Sequence, residues 1–313
     1  MAILFGTSDG VWQLDGQSRN RIALGGTVIS HVANRSGTIL AAVPHDGLYD
    51  VSGASETRIW EGDARACAIG PDGKLYVGTE PAMVYRSDDR GESWKRLDKI
   101  DELPTRASWY FPVPPREPHV RSIDFLPNAQ ISVLVGVEVG GVLLSDDYGH
   151  SWKELNNGVY VDVHAVRPDP SEPGRLIAAT GRGIYVSHDN GGSWEHITKG
   201  LGQNYAVGLH VNPIRAGEML VATGDHPPGL DARVYRSIDG GQEWSQIVDP
   251  LLPERYDRVP VVLFGEGGAW IATDKGQVFR ADEASGKWSL SCELPTSIHA
   301  ASAGGSPCSI SYG

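Results

Sequence analysis

Three cysteines, Cys67, Cys292 and Cys308, are all that 313 residues contain, and they stand far apart. An odd, scattered set fits neither a disulfide framework nor a thiolate zinc site, so reduced thiols are the expectation. No apolar run is long enough to cross a bilayer, and "MAILFGTSDG" at the start has no basic segment leading into an apolar one. A cytoplasmic location without membrane contact is therefore expected. Basic residues are outnumbered, 27 Lys and Arg against 39 Asp and Glu, for a net charge of -12. That sign argues against a nucleic-acid partner. What the chain does have is 39 glycines, 20 prolines and 40% hydrophobic residues, the composition of a globular protein that turns often and can bury a large core.

The turns carry a repeat. Ser-x-Asp-x-Gly-x-x-Trp occurs as "SDDRGESW" (87–94), "SDDYGHSW" (145–152), "SHDNGGSW" (187–194) and "SIDGGQEW" (237–244), with a degenerate copy, "ADEASGKW", at 281–288. The closing tryptophans are 58, 42, 50 and 44 residues apart, a range that suits propeller blades. Around each copy an alternating strand, a Thr-Gly turn and a second strand precede the box, and a third strand follows its tryptophan, which reads as a β-meander. The motif resembles the Asp-box, or BNR repeat, of bacterial sialidases, sortilin-type receptors and photosystem II assembly factor-like proteins. In those families the box is a structural hairpin away from the active site, so the resemblance implies architecture for Ser87, Asp89, Gly91 and Trp94 and their equivalents.

Segments without a box follow the same grammar, and seven innermost strands can be read, from "TVISHVANR" to "TSIHAASAG". The last has no meander after it, while residues 2–24 have no inner strand before them. The expectation is an all-β fold: one seven-bladed β-propeller over 1–313, with four-stranded blades and a ring closed by the C-terminal strand joining the N-terminal blade. The Pro-rich, aromatic insertion 97–118 interrupts it, and Trp109, Tyr110 and Phe111 suggest a packed lid rather than a linker.

Five inner strands carry a histidine read as lying near the strand start: His31, His119, His164, His210 and His299. Neutral imidazoles gathered around one axis are what a divalent transition metal needs, whether zinc, iron, copper or manganese. Turns on the same face add His45, Asp225 and His226. Glu138, in the apolar "VLVGVEVGG", is the candidate general base because burial would raise its pKa; Arg121 is placed to bind a carboxylate or enolate-like anion. An inter-blade salt bridge for Glu138 and for Arg121, and a polar channel without metal, are the alternatives at these positions.

Sialidases with this repeat carry an arginine triad, the first within a Phe/Tyr-Arg-Ile-Pro motif, and no Arg-Ile-Pro occurs here. The expected function is a metal-dependent enzyme acting on a small molecule at the channel mouth, with oxygenase, lyase and hydrolase unresolved. A non-catalytic scaffold presenting its acidic face to a protein partner is the alternative.

Overall fold

The computed structural model describes residues 2–303 apart from 17, 127–130 and 266, together with the backbone of the strand Pro307–Ser309. Seven antiparallel sheets form the blades of a propeller. Blade 1 is composite: Ile298–Ser302 is its inner strand, followed outward by Ile3–Thr7, Gly10–Asp15 and Ser18–Ala23. The inner strands of blades 2 to 7 are His31–Arg35, Ala64–Ile69, Val120–Phe125, Val163–Pro168, Tyr205–Val211 and Val261–Gly265. Each is followed outward by the next three strands of the chain. The expected closure is therefore present. A feature beyond the four-strand expectation is Pro307–Ser309, a fifth strand on the channel side of Ile298–Ser302. Its backbone lies against the inner strands of blades 2, 4, 6 and 7, inside the channel.

The apolar residues sort into seven clusters, and each cluster draws on two adjacent blades. Every blade is thus covered on both faces. This is why the inner and second strands read as nearly unbroken apolar runs such as "VLVGV", buried at every position, instead of alternating. Cys67 and Cys292 are buried and unbridged; the side chain of Cys308 lies outside the described residues.

The Asp-boxes join the third strand of a blade to its short outer strand. In each, the serine hydroxyl accepts the glycine N–H, 2.7 Å for Ser87 and Gly91, 2.8 Å for Ser187 and Gly191, and donates to the aspartate two residues on. The aspartate then accepts the backbone N–H four residues further along, Ser93 for Asp89 and Ser193 for Asp189. Gly91 has φ 93°, and a Cβ there would also meet the Ile59 side chain at 2.8 Å, so conformation and space both demand glycine. The tryptophan reaches the preceding blade: Trp194 Nε1 donates to Leu155 O at 2.6 Å and Trp94 Nε1 to Ile59 O at 2.7 Å. The box is a clasp that holds a hairpin shut and ties it to the neighbouring blade.

The insertion folds into two 3₁₀ turns, Asp98–Glu102 and Arg106–Ser108. Ile100, Leu103 and Trp109 are buried in the apolar cluster between blades 3 and 4.

Hydrogen bonds hold Asp89 and Asp189 at about 2, below the ordinary value of 3.8. A depressed carboxylate contributes stability above its unfolded pKa and loses it as pH falls through the folded one. Wild type is therefore expected to lose stability between about pH 4 and pH 2, and Asp89→Asn with Asp189→Asn to flatten that dependence, as read by urea unfolding at stepped pH. Trp244→Ala, at a side chain 2% exposed, is expected to cost about 3–5 kcal/mol in the same assay.

Candidate functional site

Five inner strands begin with the same irregularity. The pairing register to the second strand skips one residue: Arg65 in blade 3, Arg121 in blade 4, His164 in blade 5, Val207 in blade 6 and His299 in blade 1. A bulge leaves that residue out of the ladder and re-aims its side chain. In blades 3, 4 and 5 the re-aimed side chain is Arg or His, and the residue two before it is also titratable: Asp63, His119 and Asp162.

These six residues, with His45, Glu80 and Glu138 from turns on the same face, form a continuous ribbon of charge across blades 2 to 5. His45 Nδ1 lies 2.7 Å from Asp63, whose other oxygen is 2.8 Å from Arg65 Nε. Arg65 reaches Glu80 at 3.1 Å, and Glu80 stands 3.3 Å from His119 Nδ1. His119 Nε2 and Arg121 Nε both meet Glu138 Oε2, at 2.9 and 3.1 Å. His164 Nε2 is 3.5 Å from Asp162, and its Nδ1 is 2.6 Å from Ala206 O of the next blade. Oxygen and nitrogen atoms of Glu138, Asp162 and His164 all lie within 4.8 Å of one another.

Glu138 corrects one expectation. It is buried, as anticipated, and burial raises its pKa; the Arg121 guanidinium, the His119 hydrogen bond and the charges of His119 and His164 outweigh that. The carboxyl is held well below the ordinary range, which makes it a permanent anion and a poor general base. Asp162 differs in exposure, with 20% of its side chain open to solvent against 6% for Glu138. Its seat depends on Gly181, since a Cβ there would stand 2.3 Å from Asp162 Oδ2 and 3.4 Å from the Tyr160 ring.

Aromatic rings surround this end of the ribbon. Phe111 of the insertion meets His119 edge-on at 5.5 Å, Tyr205 lies 4.7 Å from the His164 ring, and Arg182 covers Tyr160 at 4.4 Å. Trp109 is buried and donates to Thr105 Oγ1, whereas Tyr110 is exposed. Asp225 and His226 are exposed, and Asp225 accepts from Gln203 at 2.7 Å.

The five histidines do not converge. His210 is the sixth residue of the seven-residue strand Tyr205–Val211, so it lies near the far end of the channel, roughly 15 Å from the strand start at ~3.3 Å per residue. His31 Nδ1 is 3.5 Å from Cys67 Sγ, and burial, with the Arg167 charge, pushes its ring down to about 3. His299 Nε2 is 2.8 Å from Ser8 Oγ. Among the described residues the expected transition metal is left with Glu138, Asp162 and His164. The donor set fits poorly, because Glu138 Oε2 already faces the Arg121 and His119 nitrogens.

Asp63, Arg65 and Asp162 were not foreseen. Their signal is the period-2 pairing of titratable residues at three successive strand entries: "DAR" at 63–65, "HVR" at 119–121 and "DVH" at 162–164.

Fold and boxes define an Asp-box β-propeller with an acid-base ribbon at one end of its channel, and residues 184–197 match the family model for the BNR-Asp box repeat. Three curated xyloglucanases are similar in sequence at 23–26% identity. The oligoxyloglucan-reducing end-specific xyloglucanase of Emericella nidulans is 23% identical over 240 residues, 63% of this chain and 27% of that protein. The chain thus spans between 18% and 28% of the length of the curated relatives it matches. Among solved structures, the GH74 xyloglucanase from Xanthomonas campestris superposes with TM-score 0.67 at 16% identity, over 94% of this chain and 52% of that one. YCF48 bound to D1 peptide does so with TM-score 0.59 at 18% identity, over 86% and 84%. These structural likenesses carry the fold. The sequence relatives are named xyloglucanases, which overturns the expectation of a metal-dependent oxygenase or lyase and also weakens the scaffold alternative.

Removing one member of the buried pair leaves the other uncompensated, so Arg121→Met is expected to cost about 3–5 kcal/mol in urea unfolding. The double variant Arg121→Met with Glu138→Gln is expected to recover much of that loss; costs that simply add would show that the two are not coupled.

Proposed function

We propose that this propeller binds an oligosaccharide across the ribbon end of its channel and hydrolyses a glycosidic bond there, with a glucan of the xyloglucan class as substrate. The observation that carries the reading is Asp162, a carboxylate with solvent access set among Tyr160, Tyr205, His164 and the sealed Glu138. The sequence similarity to three xyloglucanases supports it independently.

The chemistry follows from the two carboxylates. Hydrolysis of a glycoside needs proton exchange with the leaving oxygen or the attacking water, and negative charge near an oxocarbenium-like transition state. Asp162 is the group that can exchange a proton with a bound sugar. Glu138, held ionised by Arg121 and the histidines, supplies fixed negative charge without reorganising. Water adds its hydroxyl to the anomeric carbon as the C–O bond breaks, and the proton passes to the departing sugar oxygen. The half-buried faces of Tyr160, Tyr205 and Phe111 offer the flat apolar surfaces on which sugar rings stack.

Incubation with xyloglucan oligosaccharides, with products resolved by chromatography and mass spectrometry, is expected to give new reducing ends. Asp162→Asn should lower the rate by about 100-fold or more. Gly181→Ala should also lower it, by moving the carboxylate without removing its charge. Absence of both cleavage and binding by wild type across xyloglucan, cellulose and mixed-linkage fragments would refute the proposal, as would full activity in Asp162→Asn.

A further inference from the structure

The opposite end of the channel holds a second cavity that the proposed hydrolysis does not use. Its volume is about 1210 Å³, and its inner wall is made by the last residues of the inner strands, among them Asp124, Arg167, His210 and Phe264. From there it runs outward between blades 6 and 7 along Leu220, Ile247, Ala269 and Trp288. The cluster between blades 6 and 7 opens toward this cavity at its lower edge, with Ile247 and Ala269 only partly covered.

The inner end is built to donate hydrogen bonds. Arg167 is 4% exposed, its Nη1 donates to Val166 O at 3.2 Å and stands 3.8 Å from Asp124 Oδ2, and its Nε has no partner among the described residues. A guanidinium has five N–H donors, and leaving them unmet in a buried site is costly. Asp124 is a weak counterpart, because burial pushes its carboxyl up against the pull of Arg167 and Arg35, and its Oδ1 accepts the Phe125 N–H at 2.8 Å. His210 lies beside it. Burial and the Arg167 charge push it down to about 3 against a hydrogen bond to the Val211 backbone, so the ring is neutral, and its Nδ1 accepts the Phe264 N–H at 3.4 Å.

We propose that this cavity is a second ligand site, which takes an organic monocarboxylate with an apolar tail: the carboxylate on Arg167, the tail along Leu220, Ile247, Ala269 and Trp288. A guanidinium fork is the natural partner of a carboxylate, and the apolar stretch of the groove accounts for the tail.

Decanoate and decanol, which share a tail and differ in the head, separate the two parts in isothermal titration against the full chain. Decanoate is expected to bind at least about tenfold tighter than decanol. Arg167→Leu should bring decanoate down to the decanol level, Arg167→Lys should retain part of the difference, and Ala269→Phe, which fills the groove, should weaken both. If Arg167→Leu fails to fold, the acid-alcohol comparison and Ala269→Phe still decide. No binding of decanoate, equal affinity for acid and alcohol, or unchanged binding in Ala269→Phe would overturn the assignment.

Discussion

Ring closure is the constraint on which the other features depend. A single blade of this chain has two apolar faces and cannot bury either alone; each of the seven clusters takes its residues from two neighbouring blades. Pairing of Ile298–Ser302 with Ile3–Thr7 makes the last interface possible. Without it, two blade faces and two strand edges would be left in water. Closure also fixes the inner strands around one axis, so that residues far apart in sequence, such as Glu80, His119 and Asp162, come to share one ribbon of contacts.

The same geometry separates two chemical environments. The starts of the inner strands carry the bulges, and the bulges turn Arg65, Arg121 and His164 out of the ladder toward the carboxylates of neighbouring turns. That end is a network of paired charges in which Asp63, held by Arg65, and Asp162 keep some access to solvent. The strand ends close on Arg167, His210 and Asp124, where donors outnumber the acceptors that meet them. An inner strand of five to seven residues is long enough to hold the two sets apart.

Much of the architecture was legible because each Asp-box carries its own reasons locally. Ser87, Asp89 and Gly91 bond within one turn, and their spacing survives in all four full copies. The site was legible only in part. His119, Glu138 and Arg121 were singled out and do meet, while Asp63, Arg65 and Asp162 were passed over, although they stand two residues from one another or from His164. His210 was misplaced because it stands three residues beyond the bulge of its strand, at the position Arg167 holds in blade 5, whereas His164 is itself the bulged residue. The pKa of Glu138 went the opposite way from expectation because its burial is shared with three positive or protonatable partners, and nothing in "VLVGVEVGG" reveals them.

The sequence by itself determined what depends on neighbours along the chain: the boxes, the turns and the number of blades, all written in local motifs and their recurrence. Tertiary structure decided what depends on neighbours across blades. It decided which histidines meet, that Glu138 is an anion while Asp162 faces solvent, and that the cleft between blades 6 and 7 opens below. Those outcomes follow from distances of a few ångströms between residues tens of positions apart, where a one-residue bulge is enough to redirect a side chain.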